Sequence, residues 1–467
     1  MGRAYIGISP SFPAAARDAL RDGQLRNNLA KATATIRAKR AAVVGEKEDW
    51  EALRANADAI KMRVLRDMPS LLEEFERNAT AAGAIVHWAP DAATATRIVA
   101  DIAKAHKVDA IVKVKSLATD EIGLNEALEA EGIEAKETDL AELIVQLAGD
   151  HPSHILVPAI HKNRDQIREL FVAQLPEANE TLSNAPRDLA MTARAHLRER
   201  FLSARMAVSG ANFAIADSGS LVVVESEGNG RMCLTLPETL VTIVGVEKLL
   251  PNFTDLEVFM QVLPRSSTGE RMNPYTTIWT GVTPGDGPQE VHIVLLDNGR
   301  IRTLADEVGR EALKCIRCSA CMNVCPVYER TGGHAYGSVY PGPIGAILTP
   351  QLQGPPHAQS LPFASTLCGA CFDVCPVKIN IPDILVHLRE QVHVAHSEPM
   401  ERLGFRALAW VLSSGSRLRA LQRANALLTP ASRLPNRVHL PLLRKWTSVR
   451  RSPSWARQSF RQWWESR

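Results

Sequence analysis

Seven of the eight cysteines in this 467-residue chain lie between Cys315 and Cys375. The first run reads C-x2-C-x2-C-x3-C-P, with Cys315, Cys318, Cys321 and Cys325 followed by Pro326. The second reads C-x2-C-x3-C-P, with Cys368, Cys371 and Cys375 followed by Pro376. Gaps of two residues let three thiolates wrap three corners of one iron–sulfur cubane, while the cysteine after the longer gap, beside a proline, serves the neighbouring cluster. Exchange of those last cysteines assigns Cys315, Cys318, Cys321 and Cys375 to a first cluster, and Cys325, Cys368 and Cys371 to a second. Thiols crowded this way point to metal rather than disulfides. Paired CxxC runs also bind zinc, but seven cysteines with two C-P ends fit the two-cluster ferredoxin pattern far better. No C-x3-C-x2-C run of the radical type is present. Clusters held this way move electrons, at potentials that spacing does not fix.

The second set is one cysteine short. Aligning the runs puts Ser365 at the vacant position. Two outcomes stay open: a [3Fe-4S] cluster on three thiolates, or a [4Fe-4S] cluster completed by Ser365, water or a partner's side chain. The usual pair of [4Fe-4S] clusters favours the latter. Cys233 stands apart and reads as a structural thiol. His151, His154 and His161 form H-x2-H-x6-H; metal binding is one reading, and hydrogen-bonded histidines at the mouth of a sheet the plainer one, since nothing completes a ligand set.

The elements that must position these groups change character along the chain. The first eighty residues have helical periodicity, as two helices ending at Gly83. From Ala84 strands and helices alternate: AIVHWA, then a helix capped by Asp91, DAIVKVKS, a helix with Asp120 and Glu121 in its first turn, IEAKETD, a helix, HILVPAI as a strand and NRDQIRELFVAQ as a helix. This predicts a mostly parallel α/β sheet. Further strands follow from about Ala207 to Asn298. IRTLADEVGREALK is a predicted helix leading into Cys315, residues 332–364 a Gly/Pro-rich ordered loop, and INIPDILVHLREQVHV a helix with Pro382 near its first turn. The expected organisation is an α/β domain over 1–300, a helical two-cluster domain over 301–395, and a basic region over 396–467.

Residues 401–467 hold 14 Lys/Arg against 2 Asp/Glu, whereas residues 1–400 hold 40 against 49. The basic tail carries Trp410, Trp446, Trp455, Trp463 and Trp464, with Arg450, Arg451, Arg457 and Arg461 among them. A short helix over Ser452–Glu465 would be basic and aromatic, suited to a partner subunit or a membrane surface, or else to packing on its own body. No recognition motif accompanies the arginines, which argues against nucleic acid. No apolar run approaches a membrane span and the N-terminus lacks a secretory pattern, so a cytoplasmic protein, peripheral to the membrane at most, is expected.

The stretches CIRCSACMNVCPVYERTGGHAYGSVYPGPIGAILTP and LPFASTLCGACFDVCPVKINIPDILVHLRE, together with SGANFAIADSGSLVVVESEGNGRMCLTLPE, resemble the lactate utilization protein B family over nearly the whole chain. The resemblance implies an iron–sulfur member of a cytoplasmic L-lactate-to-pyruvate oxidising system that passes electrons onward, toward quinone in one reading. It implies an α/β domain like those of ribose-5-phosphate isomerases and CoA transferases, then a helical ferredoxin-like domain whose ligands carry over at the seven cysteines. In such a fold Glu225 after the LVVV strand could be an acyl-transfer nucleophile, and Gly219, Ser220 and Arg231 an anion site; a polar turn is the plainer reading. Lys113 and Lys115 close a predicted strand and could face the same cleft; solvated lysines are the plainer reading. A scaffold with structural clusters is a third alternative. The loop with Gly332, Gly333, His334 and Tyr336–Gly345 is expected to cover the clusters.

Overall fold

The computed structural model describes residues 10–354, 358–396, 399–428 and 459–467, and the chain forms two compact units, Met1–Gln391 and Val392–Arg467. Its first helices are Phe12–Ala19, Gly23–Gly45, Trp50–Arg66 and Met68–Ala81. Asp22 starts the second by accepting from the Leu25 N–H (2.9 Å). The long helix expected after Glu48 is broken at Asp67, where Pro69 in the new first turn has no N–H to continue the ladder.

Six parallel strands form the main sheet: β1 (Ile85–Ala89), β2 (Ala110–Lys113), β3 (Glu134–Glu137), β4 (Met206–Gly210), β7 (Thr239–Gly245) and β10 (Glu290–Leu296). Their order is β1-β10-β7-β4-β2-β3. Strands buried on both faces must be apolar throughout. Val291, Ile293 and Leu295 of β10 join one core, and Val294 and Leu296 the opposite one. A second sheet, ordered β8-β5-β6-β9, comprises β5 (Phe213–Ile215), β6 (Ser220–Glu225), β8 (Leu249–Leu250) and β9 (Tyr275–Trp279). One sheet face shares a continuous core with the cysteine region, through Ile344, Met322, Cys318 and Cys375.

Several expected elements differ. The helix after β2 is split by Gly123 (φ 65°), so Asp120 and Glu121 end the short helix Leu117–Glu121 instead of opening a long one. HILVPAI is no strand but a run of bends and turns. The His154 Nδ1 accepts from the Leu156 and Val157 N–H groups (3.0 and 3.1 Å), and Pro158 has none to give, so no ladder donors remain there. The helix expected before Cys315 is a turn of α-helix, Arg300–Leu304, then a 3-10 stretch, Gly309–Lys314. Between them Asp306 Oδ1 accepts from the Val308 and Gly309 N–H groups. The presumed loop 332–364 contains a twelve-residue helix, Gly342–Gln353, buried almost end to end. At Gly345 a Cβ would lie 1.4 Å from the Tyr340 carbonyl oxygen, so only glycine allows that approach.

In the second unit, helices Pro399–Leu412, Gly415–Leu428 and Phe460–Glu465 are described. Trp410, Trp463 and Trp464 are exposed, and Phe460 packs against both Trp463 and Trp464. Trp446, Trp455, Arg450, Arg451, Arg457 and most of the helix expected over Ser452–Glu465 lie outside the described residues. No described helix is long and apolar enough to cross a membrane.

Candidate metal centre

The two cysteine runs share one backbone pattern. Arg317 and Ser319, flanking Cys318, have φ of 62° and 60°; Leu367 and Gly369, flanking Cys368, have 56° and 84°. Left-handed conformations are costly at non-glycine residues and persist only where the surroundings impose them. Each doublet leads into one helical turn, Ala320–Asn323 or Ala370–Asp373. The Arg317 N–H donates to Cys315 Sγ (3.4 Å); at the matching place the Leu367 N–H donates to Ser365 Oγ (3.1 Å). Backbone N–H groups also reach Cys325 Sγ from Tyr328 (3.5 Å) and Cys375 Sγ from Ile379 (3.4 Å).

One enclosed cavity is lined by Cys315, Cys318, Cys321 and Cys375, with Ile316, Ile344 and Ile381 among its walls. Burial first, then mutual proximity, pushes the Cys318 and Cys321 thiols up. The Cys375 thiol is pushed up to about 11, chiefly by burial. None of the cysteines is in a disulfide. Crowded soft donors that resist ionisation alone, met by backbone N–H groups, fit a thiolate-bound metal whose charge would reverse that preference. Cys325, Cys368 and Cys371 form the other neighbourhood: burial and then Cys325 and Cys368 push Cys371 up to about 12. Here Cys368 is exposed, and Ser365 is half-buried. Arg389 donates to the Pro362 and Ser365 carbonyls (2.8 and 3.1 Å) and stacks on Phe363.

The N-terminal helices brace both runs. Arg37 donates to the Asn323 carbonyl (2.8 Å), Arg40 to that of Val374 (3.0 Å), and Arg54 to those of Cys375 and Phe372 (2.9 and 3.2 Å). Such arginines satisfy carbonyls that these short turns leave unpaired. On the sheet side, Arg300 pairs bidentately with Glu121 (both 2.9 Å) and with Glu247 (2.6 Å). Arg317 pairs with Glu247 (3.2 Å) and lies over the Tyr340 ring, whose hydroxyl donates to Glu121. Despite burial, Arg300 and Arg317 hold Glu247 at about 2. Sequence reasoning missed this network. Its signals were a charged residue inside a C-x2-C pair and the charged pair Glu247-Lys248 between apolar strands.

The remaining candidates separate. His154 is buried, with Nε2 on Asn323 Oδ1 (3.1 Å), and burial lowers it to about 4, so it is a neutral brace for the first run. His161 binds Asp150 (3.0 Å), and His334 meets the His161 ring edge to face and the His151 carbonyl through Nε2. Lys113 is not solvated but buried between Asp120 and Glu137 (2.9 and 2.7 Å), whereas Lys115 is half-buried on the Leu156 carbonyl (2.9 Å). Gly219 and Ser220 open β6 while exposed Arg231 follows its far end, so the three form no anion site. The Glu225 carboxylate is pinned by the Gly230 and Arg231 N–H groups (both 2.7 Å), and Cys233 is fully buried.

Residues 72–296 match the LUD domain, residues 311–379 a 4Fe-4S dicluster domain, and residues 387–467 the lactate utilisation protein B C-terminal model. All seven clustered cysteines fall within the second of these. A lactate utilization protein B of Bacillus licheniformis is 40% identical over 96% of this chain and 95% of its own. Those of an Exiguobacterium species (38%, over 99% and 98%) and Bacillus velezensis (41%, over 95% and 94%) are similar throughout. A solved DUF162 family protein from Deinococcus radiodurans aligns at 13% identity over 49% of this chain and 98% of that one, with a TM-score of 0.28, too weak to argue from. With an α/β domain over a parallel sheet, a dicluster cysteine region and full-length similarity at about 40%, the chain belongs to the lactate utilization protein B family.

Proposed function

We propose that this chain is the electron-carrying iron–sulfur subunit of a multi-component system that oxidises L-lactate to pyruvate. In this reading Cys315, Cys318, Cys321 and Cys375 hold one cluster, and Cys325, Cys368 and Cys371 a second, with Ser365 placed to complete it. Bound clusters supply reversible one-electron transfer. The chain's own part is to fix the thiols, to direct N–H groups at their sulfurs and to exclude water from the first set. The observation that carries the reading is that Cys375, from the second run, shares a cavity with three cysteines of the first, the exchange expected when two clusters are neighbours. The pinning of Glu225 argues against acyl transfer. The proposed division is an α/β part over 1–300, of the ribose-5-phosphate isomerase and CoA-transferase kind, a cluster part over 301–395, and a basic part over 396–467 that docks a partner or the membrane surface. A cytoplasmic setting suits its thiols.

The test is anaerobic co-purification with the other components, an iron count, and EPR before and after adding L-lactate. Lactate-dependent reduction that disappears in Cys318→Ser supports the relay. Iron-free protein that still supports growth on lactate overturns it.

A further inference from the structure

We propose that His106, Glu290 and His292 form a binding site for one divalent transition-metal ion of the zinc kind, on the face of the parallel sheet turned away from the cysteines. Strand alternation builds it. In β10, Val294 and Leu296 pack into the core that also holds Ala89 of β1, Val99 and Ala103. The same alternation puts Glu290 and His292 on that face, with His87 beside them on β1. A strand covered on both faces is expected to stay apolar, so two consecutive polar positions in this row call for an explanation. His106 completes the group from the end of helix Ala92–Ala105, where it is the C-cap.

The contacts are those of a ligand set. Glu290 Oε1 lies 2.6 Å from His292 Nε2 and 3.1 Å from His106 Nε2, and the three donor atoms all lie within 4.8 Å of one another. Zinc bonded at about 2.0–2.2 Å would hold such donors roughly 3.3 Å apart, so the two contacts to Glu290 need only open slightly. Two imidazoles and a carboxylate suit zinc better than magnesium or calcium, and three protein ligands leave a fourth position for water. His292 is held for this role, its Nδ1 lying 2.9 Å from His87 Nε2. A ligating imidazole generally donates its second N–H to such a partner, which fixes the ring and its tautomer. The outer side is reachable: the His106 and Glu290 side chains are 29% and 38% exposed, while that of His292 is 6% exposed. Carbonyls at the end of the helix add partial negative charge beside His106.

No fixed cation competes for the carboxylate. Among the described residues, no lysine or arginine pairs with Glu290, whose partners are the two histidines. A second group, Asp150, His161 and His334, has ligand atoms within the same limit. There, however, Lys162 already holds the Asp150 oxygen that meets His161 (both 3.0 Å), and His334 Nε2 donates to the His151 carbonyl. A metal would have to displace both partners, so that group carries no site.

The proposal is independent of the electron-carrying role and is tested on the untagged, iron-loaded chain, prepared anaerobically, with its iron content followed throughout. Zinc and magnesium are titrated calorimetrically into wild type, Glu290→Gln and His106→Gln. Wild type is expected to bind one zinc per chain more than either variant, and magnesium not to compete. Loss of an outer partner at a metal site costs about 10–100-fold in affinity, so loss of a ligand should weaken zinc here about a hundredfold or more. Zinc should also raise the melting temperature of wild type and of neither variant, because an ion bound only by the folded chain stabilises it. Glu290→Gln keeps an acceptor oxygen, so a cluster that is only hydrogen-bonded would show no such difference. Equal zinc uptake in wild type and either variant, or displacement of zinc by magnesium, overturns the proposal. Should one variant not fold, the other decides.

Discussion

The two cysteine sets share a backbone pattern and differ in almost everything around it. The Cys318 set sits in a closed cavity, backed by Arg317, Glu247, Arg300 and Glu121, all of them buried. The Cys368 set reaches the surface: Cys368 is exposed, Phe363 is 52% exposed, and a serine stands where the first run has a cysteine. A repeated motif has thus been placed once in the core and once at the edge. The inner site is walled by the core of the fold, and the outer one opens at Cys368 to the surface.

Four experiments would break or sharpen that contrast. The largest difference is expected between Cys375→Ser and Cys368→Ser. Each should lose iron, but only the buried substitution should also lower the melting temperature markedly, as read by calorimetry under argon. Equal melting temperatures would erase the distinction. Next, Arg300→Met leaves two buried carboxylates short of their cation and should cost about 3–5 kcal/mol, measured by urea unfolding. A comparable change at Arg389, beside the outer site and half-buried, should cost well under half of that.

Third is a pH dependence at the inner site alone. His154 has a folded-state pKa of about 4 against an unfolded value of about 6.5. Below pH 6.5 the unfolded chain takes up the proton first, so the stability from neutral His154 is whole above pH 6.5. It is lost as pH falls toward 4, by on the order of 3 kcal/mol. His154→Gln should flatten the wild-type slope between pH 6.5 and 4; an unchanged slope would remove His154 from the inner frame. The smallest effect on stability is expected from Ser365→Cys, within about 0.5 kcal/mol as for surface changes. That variant should make the outer cluster a four-iron species and abolish any three-iron EPR signal, and persistence of the signal would show that Ser365 does not mark the open corner.

Much of the fold could be read from periodicity because strand and helix repeats are local. The β1, β2, β3 and β10 strands and the Asp91 cap of helix Ala92–Ala105 stand where the pattern predicts them. Interruptions imposed by single groups were harder to read. Gly123 and Asp306 break predicted helices, and His154 takes up the N–H donors of a predicted strand. The helix Gly342–Gln353 was hidden because a helix buried on every side shows no amphipathic stripe. In the cysteine region, spacing carries which thiols can share a metal, but not exposure. The closure of the inner site comes from Arg37, Arg54, Glu121 and Glu247, residues up to hundreds of positions away, whose pairing no local pattern encodes.

The inner cavity draws its fourth sulfur from Cys375, 54 positions beyond Cys321. A ribosome adding about 5–20 residues per second therefore finishes three of these thiols roughly 3–10 s before the fourth exists. During that interval Cys315, Cys318 and Cys321 are open to oxidation on the nascent chain. Iron delivered at that stage would meet an incomplete ligand set, so loading of the inner set belongs after synthesis has passed the second run, and a message truncated just before codon 375 would yield protein lacking the inner set's fourth sulfur while keeping Cys325, Cys368 and Cys371.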